Sequence, residues 1–195
     1  MKIALMGTHG VGKTTLAYDI CTRLKKSGQN VELVTEVARR SPFPVNEATT
    51  LEGQLWILHA QIAAELEAAQ RAPHVLCDRA VLDNYCYLVN KCGRQPALEP
   101  WLTGWLETYD VLVGVPLVER AIFAEVFRQP LLADGFRAVD DDFRRRIDRL
   151  LKDLLRQKPF DRFGATVVWL DGRDQSRWAD IVLEVIAQRA QSAAV

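Results

Sequence analysis

The chain has 195 residues, 49% hydrophobic and 26% charged, with 25 Lys and Arg balanced by 25 Asp and Glu. That is the composition of a globular domain large enough for a proper core. No apolar run approaches the ~20 residues of a membrane-spanning helix, and zero net charge gives no general attraction to nucleic acid or anionic lipid.

Residues 2–6 read as a short apolar strand. The next stretch, Gly7-Thr8-His9-Gly10-Val11-Gly12-Lys13-Thr14, fits G-x-x-x-x-G-K-[ST] without departure, and residues 15–26 read as an amphipathic helix. Glycines let the backbone curl around a phosphate without Cβ clashes, aiming N–H groups inward where the helix dipole adds positive potential. Lys13 can reach β- and γ-phosphates, and the Thr14 hydroxyl can ligate Mg²⁺. Four specified positions match by chance in roughly one sequence in a hundred of this length. The flanking strand and helix lower that further. The expected nucleotide-binding set is Gly7, His9, Gly10, Val11, Gly12, Lys13, Thr14 and Thr15. His9 occupies a position where the pattern accepts any residue and is given no catalytic role.

Residues 31–36 read as the second strand, placing Glu36 at its carboxyl end, the edge where open α/β sheets bind ligands. The prolines Pro42 and Pro44 favour a defined loop. Asn46 is the expected N-cap of a helix running to about Ala72, with Leu51, Leu55, Leu58, Ile62, Leu66 and Ala69 along one face and Gln54, His59 and Gln61 off it. Residues 74–78 read as a strand closed by Asp78, followed at once by Arg79. An acid at that strand end is the second magnesium-site feature of P-loop enzymes.

Helices are expected over residues 82–91 and 100–108, a strand over 109–116, a helix over 141–157, a strand over 165–170 and a closing helix over 178–190. Between residues 117 and 137 periodicity is poor. Five strands separated by helices predict an α/β fold, a parallel sheet covered on both faces. Residues 1–195 read as one domain with a lid segment at about 117–147. The cysteines Cys21, Cys77, Cys86 and Cys92 lack metal-ligand spacing and read as free thiols, and no signal-peptide pattern opens the chain; a cytoplasmic location is expected.

The phosphate loop, the Asp78-Arg79 pair and the Thr35-Glu36-Val37-Ala38-Arg39 segment with Pro42-Phe43-Pro44 and Asn46-Glu47 carry a family resemblance. The chain resembles the nucleoside and nucleotide kinase branch of P-loop NTPases, which includes thymidylate-kinase-like, deoxynucleoside-kinase-like and nicotinamide-riboside-kinase-like proteins. The 35–47 segment resembles small bacterial and phage-like P-loop ATPase or kinase homologues. The resemblance implies a three-layer sandwich with sheet order 2-3-1-4-5 and an Arg-bearing lid between strands four and five.

On this reading Glu36 is the candidate general base for a hydroxyl acceptor, as a Glu at this strand end is in deoxynucleoside kinases; its alternative is a solvated carboxylate or a partner of Arg39. Asp78 is expected at the Mg²⁺ shell, with base or structural acceptor for Thr14 as alternatives. Arg79 can contact transferring phosphate or pair with Asp78 or Asp83. Arg39 and Arg40 can clamp an acceptor phosphate or face solvent. Gln54, with Gln61 as alternative, can read a base edge or lie exposed. Trp56 and Phe43 can stack on a ring or pack in the core. Arg137 is the first candidate for the lid cation and Arg144 the next, with the rest of the 144–146 run a solvated face.

The function expected is ATP- and Mg²⁺-dependent phosphoryl transfer to a small nucleoside or nucleotide acceptor. The competing readings are a regulatory NTPase and a polynucleotide-end kinase. Asn90-Lys91-Cys92-Gly93 lacks the Asp that reads guanine, no helical lid domain follows the core as in ring ATPases, and the absence of a basic surplus disfavours nucleic acid. Trp101 and Trp105 mark a candidate homodimer contact.

Overall fold

A computed structural model describes residues 1–118 and 141–192. Arg137 and most of the expected lid lie outside the described residues.

The strands are β1 (Lys2–Met6), β2 (Val31–Val34), β3 (His74–Cys77), β4 (Val111–Gly114) and β5 (Val167–Trp169). They pair in parallel in the order β2-β3-β1-β4-β5. β1 lies at the centre, with Ala4 opposite Cys77 on one side and Leu112 on the other. A central parallel strand is covered on both faces, which is why residues 3–6 are apolar without alternation and all 0% exposed.

The helices are α1 (Lys13–Lys26), α2 (Leu51–Arg71), α3 (Val81–Cys92), α4 (Glu99–Leu106), α5 (Asp141–Leu154), the one-turn α6 (Asp161–Gly164) and α7 (Trp178–Ser192). Successive strand residues point to opposite faces. Ile3 and Leu5 therefore join Leu16, Ile20, Val182 and Ile186 of α1 and α7 in one core. Ala4 and Met6 join Leu58, Tyr85, Leu102, Phe143 and Ile147 of α2 to α5 in the other. Each fully buried Leu, Ile or Phe contributes about 1.5–3 kcal/mol. Among the described residues no helix is long and apolar enough to cross a membrane.

Two local expectations are corrected. The cap of α2 is Thr50, whose side chain accepts the Gly53 N–H, while Asn46 sits at a φ of 57° in a separate 3₁₀ turn, Asn46–Ala48. Asn tolerates the left-handed conformation that most residues avoid, so it starts a turn here instead of the helix. The buried face of α2 is also rotated from the Leu stripe. Leu51 and Leu66 are exposed, whereas Gln54, Ile57, Leu58, Gln61, Ile62 and Glu65 are buried. The inward Gln54 and Gln61 amide nitrogens and the Glu65 carboxylate have partners. Glu65 accepts bonds from Tyr109 Oη, Trp105 Nε1, Lys2 Nζ and Gln61 Nε2 at 2.7–3.0 Å. Trp105 is thus turned partly inward, and Trp101 stays exposed beside His59.

Candidate functional site

Beyond Met6 the chain enters the phosphate loop with φ of 148° at Gly7, 70° at Gly10 and 93° at Gly12. At Gly7 a Cβ would also lie 2.5 Å from the Val115 carbonyl oxygen, so only glycine fits. α1 begins at Lys13 behind Gly12, an N-cap that supplies no side-chain hydrogen bond. The first-turn amides and the positive end of the helix dipole are thereby left to an anion. Lys13 is buried, and its Nζ donates to Gly7 O at 2.6 Å and Thr8 O at 2.7 Å. Burial, helped by Arg79, lowers its ammonium to about 8, while Asp83, Asp78 and Glu36 pull the other way. Val11 packs in the core behind the loop, and Thr15 is exposed on the first turn of α1.

Asp78 follows β3. Its Oδ2 accepts the Thr14 Oγ1 hydrogen at 2.7 Å, and its Oδ1 is buried with no hydrogen-bond partner among the described residues. Burial raises this carboxyl above its ordinary value, against Lys13 and Thr14.

Glu36 follows β2 and is met by two arginines. Arg79 reaches Oε1 with Nε at 2.7 Å and Nη2 at 2.6 Å, and Arg39 Nε reaches Oε2 at 3.2 Å. Arg79 therefore pairs with neither Asp78 nor Asp83. Its Nη1 is buried without a hydrogen-bond partner among the described residues, and the guanidinium lies 5.3 Å from the Tyr87 ring centre. Burial pushes the Glu36 carboxyl up, but Arg79, Lys13 and Arg39 together hold it down at about 2.

Beside the loop lies a solvent-open pocket, about 400 Å³ when the open space at its mouth is included, whose walls include His9, Glu36, Gln54, Arg79, Asn84 and Tyr87. A smaller space of about 230 Å³ lies against Gly10, Gly12, Lys13, Thr14 and Asp78. His9, Glu36 and Arg79 line both. His9 Nδ1 is 3.0 Å from Tyr87 Oη, and its ring lies 5.5 Å from that of Phe143. Gln54 is buried at the cavity, its Nε2 donating to Thr49 Oγ1 at 2.8 Å. Gln61 stands behind the site and donates to the Arg79 carbonyl at 3.0 Å. Arg40 and Phe43 are exposed, Trp56 is half-buried, and none of the three is among the residues lining the cavity.

Three site residues escaped the sequence reading as site components. Asp83 accepts the Gly7 N–H, and Asn84 and Tyr87 line the cavity. Asn84 Nδ2 is buried without a partner among the described residues. The consecutive polar pair Asp83-Asn84, set in a run of apolar and aromatic residues from Val81 to Val89, was the available signal. Arg144, ranked only second as a cation, is 3% exposed and donates to the loop carbonyls of His9 at 3.2 Å and Gly10 at 3.3 Å. Arg145 and Arg146 are exposed, as a solvated face requires.

No curated protein sequence matches the chain. Its fold is shared with deoxyadenosine kinase from M. mycoides. The structure with bound dATP has a TM-score of 0.62 and 16% sequence identity, covering 96% of this chain and 99% of that one. The structure with the products dCMP and a flexible dCDP has a TM-score of 0.58 at 16% identity, covering 99% and 100%. The AAA domain family matches residues 2–177, a span that takes in the phosphate loop, Glu36, Asp78, Arg79 and all five strands. The chain therefore belongs to the AAA domain family, as a P-loop protein built on the same fold as a deoxynucleoside kinase.

Proposed function

We propose that this protein is a kinase that transfers the γ-phosphoryl group of ATP to a nucleoside or nucleotide. The observation that carries the reading is the wall shared by the two cavities, His9, Glu36 and Arg79. A phosphate chain in the smaller space and an acceptor in the larger one would meet there, and positioning is most of what phosphoryl transfer asks of a protein. The dATP and dCMP held by the deoxyadenosine kinase structures support deoxynucleosides and their phosphates as the first acceptors to test.

Lys13 would turn from the Gly7 and Thr8 carbonyls to the β- and γ-phosphates. Among the described residues no group of three His, Cys, Asp or Glu could hold a metal ion alone. The Thr14 hydroxyl and the unspent Asp78 oxygen nonetheless suit Mg²⁺, which takes one or two protein oxygens and completes its shell with phosphate and water. Bound there, the ion would neutralise phosphate charge. Glu36 is ionised at any working pH and too acidic to strip a free hydroxyl. It orients the acceptor hydroxyl and takes its proton late, as the new P–O bond forms. Arg79 has one nitrogen unspent for the transferring group. Arg39 and Gln54 bind acceptor on this reading, and Arg137 and Arg144 supply cations from the lid side.

The test is Mg²⁺-dependent ADP release from ATP across nucleosides, nucleoside monophosphates and nicotinamide riboside, with Lys13→Ala alongside. Stimulation by one acceptor, abolished in the variant, establishes the kinase. Slow ADP release that no acceptor stimulates overturns it in favour of a regulatory NTPase.

A further inference from the structure

Asp83 lies on α3 beneath the phosphate loop, outside the residues that line the acceptor cavity. It is 2% exposed, and its side chain has a single hydrogen bond among the described residues, Oδ1 accepting the Gly7 N–H at 2.9 Å. Its Oδ2 is buried with no hydrogen-bond partner among the described residues. A carboxylate held this way costs stability, because burial removes water that one amide does not replace. Burial pushes the carboxyl up to about 6, against the pull of Lys13 and Arg79. Packing alone does not call for an acid here.

What the acid gains is control of Gly7. Gly7 is the residue with no room for a side chain, and its two peptide groups are held from opposite ends. Asp83 takes the N–H, and Lys13 Nζ donates to the C=O at 2.6 Å. We infer that Asp83 is a positioning residue of the nucleotide site: its carboxylate fixes the first peptide of the phosphate loop, and with it the curl of backbone that faces the phosphates. The loop is thus shaped for a phosphate chain before one arrives. This rests on the reading that the loop binds nucleotide.

The experiment is calorimetric titration of ADP into the wild-type protein, Lys13→Ala, Asp83→Ala and Asp83→Asn, each well below its own melting temperature. Loss of a charge-assisted bond to a buried N–H predicts ADP binding weaker by about tenfold or more in Asp83→Ala. Asp83→Asn keeps an acceptor oxygen and should return binding to within about threefold. In turnover the Asp83→Ala nucleotide KM rises while the acceptor KM holds, a split that general loosening of the core would not give. Wild-type ADP affinity in Asp83→Ala, equal loss in both Asp83 variants, or equal rises in the two KM values would overturn the inference and leave the nucleotide reading standing. Absence of ADP binding to the wild type, or equal binding by Lys13→Ala, would overturn both.

Discussion

Arg79 and Glu36, 43 residues apart in sequence, meet side by side at the carboxyl ends of neighbouring strands, with Nε 2.7 Å and Nη2 2.6 Å from the same carboxylate oxygen. Both are buried, and Gln61 ties down the Arg79 backbone from behind. A buried pair contributes little net stability when intact, but removing one partner strands the other. Arg79→Ala should therefore cost about 3–5 kcal/mol in urea unfolding, and adding Glu36→Gln to it should recover part of the loss. Additive losses in the double variant would refute the coupling. Arg79→Lys should not restore turnover, since a compact ammonium lacks the planar fork that holds Glu36 through Nε and Nη2 while Nη1 is left for phosphate.

The same pair sets a pH dependence. The Glu36 carboxyl is held at about 2, against an ordinary value near ~4.3 in the unfolded chain. A depressed carboxyl contributes stability that is fully present above the unfolded value and is lost as pH falls from there toward 2. The term is at most about 3 kcal/mol. Wild type should exceed Glu36→Gln in unfolding free energy at pH 6, and the gap should close between pH ~4.5 and ~2. A gap that stays constant over that window would mean that the carboxylate is not held by its arginines.

The parts of the site legible in the sequence are those fixed by local chemistry. The loop needs glycine at positive φ, a lysine and a hydroxyl within eight residues, and no distant contact alters that requirement. Glu36 and Asp78 were legible because a strand's end fixes where its next residue goes. The face of α2 was not legible, because the Gln54 and Gln61 amide nitrogens and the Glu65 carboxylate are met by Thr49, Arg79, Trp105 and Tyr109, and only the fold brings most of these near. Arg144 carried a faint signal. It stands three residues before Ile147 and seven before Leu151, on the buried stripe of α5, whereas Arg145 and Arg146 fall outside it.

That contrast gives a test within one run of three arginines. Arg144 donates to the His9 and Gly10 carbonyls, bracing the middle of the phosphate loop as Asp83 braces its first residue. Arg144→Ala should weaken ADP binding by about tenfold. Arg145→Ala and Arg146→Ala, whose side chains are half exposed and form ion pairs 3.8 Å long, should leave it within about twofold. Trp178, whose ring lies 3.8 Å from where a Gly12 Cβ would stand, gives a fluorescence signal for the titration. Equal effects from all three substitutions would reduce Arg144 to one charge in a basic face.

The cavity wall makes a separate prediction about the acceptor. Asn84 Nδ2 is buried and unspent among the described residues, and Gln54 stands on the same wall with its Nε2 occupied by Thr49. An amide left unpaired in a buried wall is a standing cost unless a ligand meets it, and a site built to bond a polar group rejects a ligand that lacks it. Asn84→Leu and Gln54→Leu should each lower kcat/KM for the acceptor by about 10- to 100-fold while the ATP KM stays within about twofold. Asn84→Leu should also raise the melting temperature, because it replaces an unsatisfied buried amide with an apolar group of similar size. If it lowers both the melting temperature and the affinity for ATP, Asn84 is a structural member of α3, and the acceptor must be recognised elsewhere on the wall.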